Sequence, residues 1–247
     1  MKIENKDFWE KSTVIATQDI TKNASDFEQF MFQQSLERQK NTRKIETIKI
    51  FGCGTGREIK AIAEFFNPKK IVASDISENM IKQCNENLKL WAIESITETV
   101  VGNAKRYNEF VSIFDMVTIL NSMLTYVPLR VDRIQIFKNS FQILKPNGTI
   151  IGTVHNQVGT KSKTYFFKLR SLFSFILKEK VGNRNTGFNG FKVSGYYYNK
   201  KGLEKDLSEA GFINCEIYSL EEYYALRGKV YNRKAGYNNL IFIASKP

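Results

Sequence analysis

The run Ile48-Lys49-Ile50-Phe51 leads straight into Gly52-Cys53-Gly54-Thr55-Gly56, and a helical pattern begins with no spacer. Few features constrain a chain more. Glycines at alternate positions let the backbone turn sharply and let a ligand approach it without intervening side chains. A strand that ends in such a loop and passes directly into a helix opens a βαβ unit, and βαβ units build parallel sheets.

The rest of the chain repeats the alternation. Strand-like runs stand at Thr47–Phe51, Lys70–Ser74, Thr97–Val101, Phe114–Leu120 and Thr149–His155, with two more near Ile213–Ser219 and Asn239–Ala244. Between them, Ser77 suits a helix cap with Glu78 in the first turn, where a negative charge favours the helix dipole. Pro128 suits the first turn of a helix reaching Leu144, along which Val131, Ile134, Phe137, Phe141 and Leu144 recur at helical spacing. Lys145-Pro146-Asn147-Gly148 reads as a turn, and Leu203, Leu207 and Ala210 mark a short helix closed by Gly211. The expectation is an α/β, Rossmann-like, doubly wound and mostly parallel seven-stranded sheet with helices on both faces.

Two regions stand outside the alternation. Residues 1–44 precede the first strand and contain a helical pattern over Asp26–Arg38, with Phe27, Phe30 and Met31 on one face. Residues 156–198 interrupt the unit after the fifth strand as a helical or loop insert. Additions at the carboxyl ends of parallel strands fall where open α/β sheets bind ligands. We therefore expect one domain over 1–247, divided into an N-terminal lid (1–44), a cofactor-binding core (45–155), a substrate insert (156–198) and the C-terminal part of the sheet (199–247).

Charge sharpens this division. The chain of 247 residues has a net charge of +12, and nine basic residues against the single acid Glu179 lie between Asn156 and Lys200. Such concentration points to an acidic substrate, a nucleic acid or an anionic surface. The insert is also aromatic, with Tyr165, Phe166, Phe167, Phe173, Phe175, Phe188, Phe191 and Tyr196–Tyr198. Thr164–Lys178 reads as one helix with Tyr165, Leu169, Leu172, Phe173 and Ile176 inward and Lys168, Ser171 and Lys178 outward. It is too short and charged to span a bilayer, though it can lie on one. Nowhere is there an apolar run of about 18 residues, so no membrane span is expected. The charged stretch Met1–Glu10 has no signal-peptide core, and Cys53, Cys84 and Cys215 have neither CxxC pairing nor metal-ligand spacing. A cytoplasmic protein without a metal site is expected.

The glycine loop excludes two common ligand classes. A dinucleotide fingerprint wants glycine or alanine at position 57, where this chain has Arg57, and no Gly-Lys-Ser/Thr closes a P-loop. Asp75 ends the second strand about 20 residues beyond Gly56, where a carboxylate can accept both hydroxyls of a ribose. Gly102-Asn103-Ala104 and Asn121-Ser122 end the third and fourth strands on the same sheet edge.

On these residues the chain resembles the class I S-adenosylmethionine-dependent methyltransferases. The likeness is carried by Ile48–Gly56, Ala73-Ser74-Asp75-Ile76-Ser77-Glu78-Asn79-Met80, Gly102-Asn103-Ala104 and Phe114-Asp115-Met116-Val117, and is extended by Leu144–Thr149 and Glu209-Ala210-Gly211-Phe212. It covers residues 45–155 closely and 199–247 loosely. The resemblance implies S-adenosylmethionine as cofactor and S-adenosylhomocysteine as product. Gly52, Cys53, Gly54, Thr55 and Gly56 would pass under its methionine part, and Asp75 would hold the ribose. Ile76 and Met80 would sandwich the adenine, Gly102, Asn103 and Ala104 would meet its edge, and Asn121 and Ser122 would border the sulfonium. Two positions depart from the family pattern: Ile50 replaces the usual acid two places before the first glycine, and Asn103 replaces the usual Asp.

Methyl transfer to a hydroxyl or ammonium group also needs a proton removed. His155, the chain's single histidine, ends the fifth strand on the ligand edge and is the candidate general base. Tyr126, His155, Tyr196 and Tyr197 are the candidate substrate contacts. The (Asn/Asp)-Pro-Pro-(Tyr/Phe) signature of amino-group methylation is absent, and so is the cysteine pair of pyrimidine C5 chemistry. The expected substrate is a small metabolite, acidic, phosphate- or sugar-bearing, methylated on O or N. Two alternatives stand beside it: an RNA nucleoside whose phosphates track the basic insert, and a non-catalytic binding subunit built on the cofactor fold.

Overall fold

The computed structural model describes residues 5–18, 23–40, 43–107, 111–188, 191–232 and 238–247. Its organising element is a seven-stranded sheet made of β1 (Thr47–Phe51), β2 (Lys70–Asp75), β3 (Thr97–Val101), β4 (Phe114–Ile119), β5 (Leu144–His155), β8 (Ile213–Ser219) and β9 (Asn239–Ser245). The order is β3-β2-β1-β4-β5-β9-β8, parallel except for β9, which runs antiparallel to both neighbours. The order reverses between β1 and β4, and at such a switch point the loops leaving the two strands part and open a crevice.

Each inner strand is buried on both sides, as a parallel sheet covered by helices requires. Ile48 and Ile50 of β1 join one core cluster with α3 (Asp26–Gln39), α4 (Arg57–Phe66), α5 (Glu78–Leu90) and α10 (Leu220–Ala225), whereas Phe51 joins the other with α6 (Arg130–Ile143) and α9 (Lys200–Glu209). The helix expected from Pro128 begins two residues later, with Leu129 as its N-cap. The turn expected at Lys145–Gly148 is an irregularity within β5: pairing jumps from Phe114–Leu144 to Met116–Thr149, and Asn147 adopts a left-handed φ of 62°. Two short helices, α1 (Lys6–Trp9) and α2 (Ser12–Gln18), precede α3.

The insert departs most from expectation. The single helix expected over Thr164–Lys178 is broken at Phe173 into α7 (Lys161–Leu172) and α8 (Ser174–Leu177), and it is followed by a hairpin of β6 (Asn183–Phe188) and β7 (Phe191–Tyr196). Lys168, Ser171 and Lys178 are exposed as expected, but the expected inward side is not inward. Tyr165, Leu169, Leu172, Phe173 and Ile176 are exposed, and the side packed inward carries Lys163, Phe167 and Arg170. Phe167 is buried against Tyr197 at a ring separation of 5.3 Å, and Arg170 donates to the carbonyls of Val181 and Lys180. Aromatic and hydrogen-bonding contacts with the following segment thus override the aliphatic stripe. The side chains of Phe188 and Phe191 lie outside the described residues.

Candidate functional site

The loops at the carboxyl ends of β1–β5 enclose a cavity of about 1450 Å³. At its floor the chain turns through Gly52, Gly54 and Gly56, all at positive φ. The loop is held from behind: Gly52 and Cys53 donate to the Ser74 carbonyl, and Asn87 Nδ2 donates to the Thr55 carbonyl at 2.9 Å. A Cβ on Gly52 would lie 2.5 Å from Met123 Cγ, so that position admits no side chain. A Cβ on Gly54 would meet no atom within 4 Å, so the loop presents bare backbone to open cavity. That is a cradle for a ligand in close contact with the main chain.

Asp75 forms the adjoining wall. Its Oδ2 accepts from Gly54 N and its Oδ1 from Ser77 N, both at 2.9 Å. Burial pushes its pKa up, against the backbone donors of Ser77, Gly54 and Ile76. The carboxylate keeps acceptor capacity for a ligand hydroxyl. Ile76, Met80, Gly102, Asn103 and Ala104 continue this wall. Ser77 Oγ accepts from Met80 N at 3.1 Å, capping α5 as its sequence position suggests.

The N-terminal segment closes the cavity by specific bonds. The Glu10 carboxylate accepts from Glu78 N, Asn79 N and Ser77 Oγ, and these bonds overcome burial to hold its pKa below the usual range. Trp9 meets Tyr126 edge-to-face at 5.0 Å, and Asn5 Nδ2 donates to the carbonyls of Tyr126 and Ser194. Glu28 of α3 pairs through both oxygens with Arg57, at 2.6 and 3.0 Å, and Arg57 also donates to Asn121 Oδ1 at 2.8 Å. Ile50, by contrast, is fully buried in the sheet core.

Not every expected site residue reaches the cavity. Cys53, Thr55, Asn121, Tyr126, His155 and Tyr197 line it. Gly56 caps α4 beneath the loop, where a Cβ would fall 2.9 Å from Cys84 Sγ. Ser122 is buried, its Oγ accepting from Asn239 Nδ2 at 2.9 Å. Tyr196 stacks on the Arg133 guanidinium at 3.5 Å, beside Tyr198, whose hydroxyl bonds Arg133 and Asp206. Successive residues of an extended chain point to opposite sides, so Tyr197 alone of the three tyrosines reaches the cavity.

The side facing the insert carries groups that sequence reasoning did not single out. Lys163 and Arg184 line it around the Phe166 and Tyr197 rings. Burial, aided by the Arg184 charge, lowers the Lys163 pKa to about 8. Among the described residues no carboxylate forms an ion pair with Lys163 or Arg184. Beside them, His155 Nδ1, Asn238 Nδ2, Asn239 Oδ1 and Asn183 Oδ1 are buried without a hydrogen-bond partner among the described residues. Burial, with Lys163 nearby, lowers the His155 pKa to about 4, so the ring is neutral near pH 7. Buried polar atoms are normally satisfied, and several orphans facing one cavity mark where a polar ligand completes the network. The sequence signalled this side through the basic density of the insert, but not which cations turn inward.

A family model described as a methyltransferase domain matches residues 50–148, from the end of β1 into the start of β5. Over those residues the chain resembles the class I S-adenosylmethionine-dependent methyltransferases. Its bare glycine cradle and Asp75 wall fit that family's cofactor. Among curated relatives, the erythromycin 3''-O-methyltransferase of Saccharopolyspora erythraea is 25% identical over 172 residues, covering 69% of this chain and 52% of that protein. The chain thus spans about half the length of that relative. A solved S-adenosylmethionine-dependent methyltransferase from Methanosarcina mazei superposes with a TM-score of 0.61 at 19% identity, covering 84% of this chain and 95% of that one. The phosphoethanolamine N-methyltransferase 2 of Haemonchus contortus, solved with phosphomonomethylethanolamine and S-adenosylhomocysteine, gives 0.61 at 15% identity, covering 99% of this chain and 61% of that one. At these identities the two structures show a shared fold. Among the described residues, no cluster of side chains suited to a metal ion occurs and no helix is long and apolar enough to cross a membrane.

Proposed function

We propose that this chain transfers the methyl group of S-adenosylmethionine to an oxygen or nitrogen of a small acidic metabolite bearing a phosphate or carboxylate. The observation that carries the acidic class is the cavity-lining pair Lys163 and Arg184, unpaired with any carboxylate among the described residues. Two cations held together in a partly buried site repel one another, and an anion bridging them relieves that cost. The relatives act on O or N according to their names, and one was solved with a phosphate-bearing amine.

In this reading the backbone of Gly52–Gly56 supports the methionine part of the cofactor, Asp75 takes the ribose hydroxyls, and Ile76 and Met80 hold the adenine with Asn103 and Ala104 at its edge. Bound there, the cofactor supplies an electrophilic methyl on sulfur, so the protein's task is alignment and proton removal. Glu28 takes over the acidic role absent at Ile50. Asn121, bonded to Arg57, borders the reacting centre. His155 Nδ1 is a buried atom with no hydrogen-bond partner among the described residues, and as a neutral ring it can accept from a hydroxyl or amine. Its lowered pKa makes it a weak base, so it acts chiefly by orienting the acceptor and receiving its proton late. Asn238, Asn239 and Asn183 complete the polar wall around the substrate.

The test is methyl incorporation from labelled S-adenosylmethionine into a fractionated cell extract. We expect label in the small-molecule fraction retained by an anion exchanger. Lys163→Ala and Arg184→Ala are each expected to raise the acceptor KM by about ten-fold or more through loss of charge-assisted hydrogen bonds, leaving cofactor affinity unchanged. Label in nucleic acid or protein, or unaltered KM in both variants, would overturn the substrate class.

A further inference from the structure

The exposed side of α7–α8 is unusual for a protein surface. Tyr165, Leu172, Phe175 and Ile176 are between 66% and 73% exposed, and Leu169 and Phe173 are nearly half exposed. Six large apolar side chains within twelve residues form one patch, whereas scattered exposure is the norm. Four exposed lysines, Lys161, Lys168, Lys178 and Lys180, lie along the same segment without an ion pair among the described residues. The single acid there, Glu179, lies 3.6 Å from Arg130.

We propose that this face docks the chain on an anionic lipid bilayer. Aromatic and aliphatic side chains that enter the acyl boundary, beside lysines that meet anionic headgroups, are what an interfacial helix requires. Charge selects this occupant over a second copy of the chain: a twofold pairing through the patch would set the same lysines against one another with only Glu179 to offset them. The break at Phe173 places α8 after α7 as a second short turn whose Phe175 and Ile176 are exposed, widening the apolar contact. The opposite side of α7 lines the cavity through Lys163, Phe166 and Arg170, so docking brings the methyl-acceptor site to the level of the headgroups. The inference stands on exposed residues and does not depend on the substrate class.

The test is co-sedimentation of the full chain with vesicles of phosphatidylcholine containing 30% phosphatidylglycerol, against phosphatidylcholine alone, at low and high salt. We expect binding to the anionic vesicles that falls with salt. Leu172→Ser/Phe175→Ser should reduce it by ten-fold or more, and Lys168→Glu/Lys178→Glu by at least about five-fold per lysine. Thermal melts and S-adenosylmethionine affinity should stay at the wild-type value, because these side chains are exposed and lie off the cofactor cradle. Absence of binding at low salt, or binding indifferent to Leu172→Ser/Phe175→Ser, would overturn the proposal. So would a wild-type dimer that Leu172→Ser/Phe175→Ser converts to monomer, or retention on RNA instead of vesicles that only the lysine variant abolishes.

Discussion

Glu28 of the N-terminal helix and Arg57 of the first turn after the glycine loop form a bidentate, largely buried ion pair, at 2.6 and 3.0 Å. Glu28 also closes the capping box of its own helix by accepting from Ser25 N at 2.7 Å. One carboxylate therefore fixes the start of α3, the register of α3 on the cofactor loop, and, through Arg57, the side chain of Asn121. Arg57 is also the residue that departs from the dinucleotide pattern, and the departure has a structural use.

Removing one member of a buried pair strands the other charge. Arg57→Ala is expected to destabilise the fold by about 3 kcal/mol in urea unfolding and to weaken S-adenosylmethionine binding. Adding Glu28→Gln should recover part of the stability, since no charge is then left buried. An additive double variant would show that the pair is energetically uncoupled.

Asp75 bonds Gly54 N and Ser77 N, linking the glycine loop to the cap of α5. Asp75→Ala is expected to weaken S-adenosylmethionine binding by about ten-fold or more, measured by calorimetry. Unchanged affinity would place the ribose elsewhere.

Glu58 is 1% exposed, neither of its carboxylate oxygens has a hydrogen-bond partner among the described residues, and burial raises its pKa to about 8. The folded state therefore holds a proton that the unfolded chain releases above about pH 4.5. Stability from this group is complete below that pH and is lost as pH rises through about 8. Glu58→Gln, which carries no charge, should melt higher than wild type at pH 8 and similarly at pH 4.5. The full difference is on the order of 5 kcal/mol. A Tm difference independent of pH would refute the assignment.

Lys163 is charged in the free protein below about pH 8 and loses its charge above it. If it binds an acidic acceptor, KM should rise by about ten-fold between pH 7 and 9.5, while Lys163→Arg, protonated throughout this range, should show a flat profile. Matching profiles in the two proteins would remove Lys163 from the substrate site.

The sequence by itself determined the sheet, because glycine spacing after β1 and the strand-helix alternation are local consequences of backbone geometry and burial. It also put Asp75, Asn103 and Asn121 on one sheet edge, since the carboxyl ends of parallel strands must share one, and all three line the cavity there. Tertiary structure alone decided which side of α7 turns inward, because Phe167 against Tyr197 outweighs an aliphatic stripe that looked more apolar in sequence. It decided likewise that Tyr197 faces the cavity and Tyr196 faces Arg133, that Glu28 reaches the cofactor loop across 29 residues, and that Asn239 at the start of β9 meets Ser122 after β4. Those partners lie far apart in the chain. Their meeting depends on how separate elements pack, and residue spacing carries no record of that.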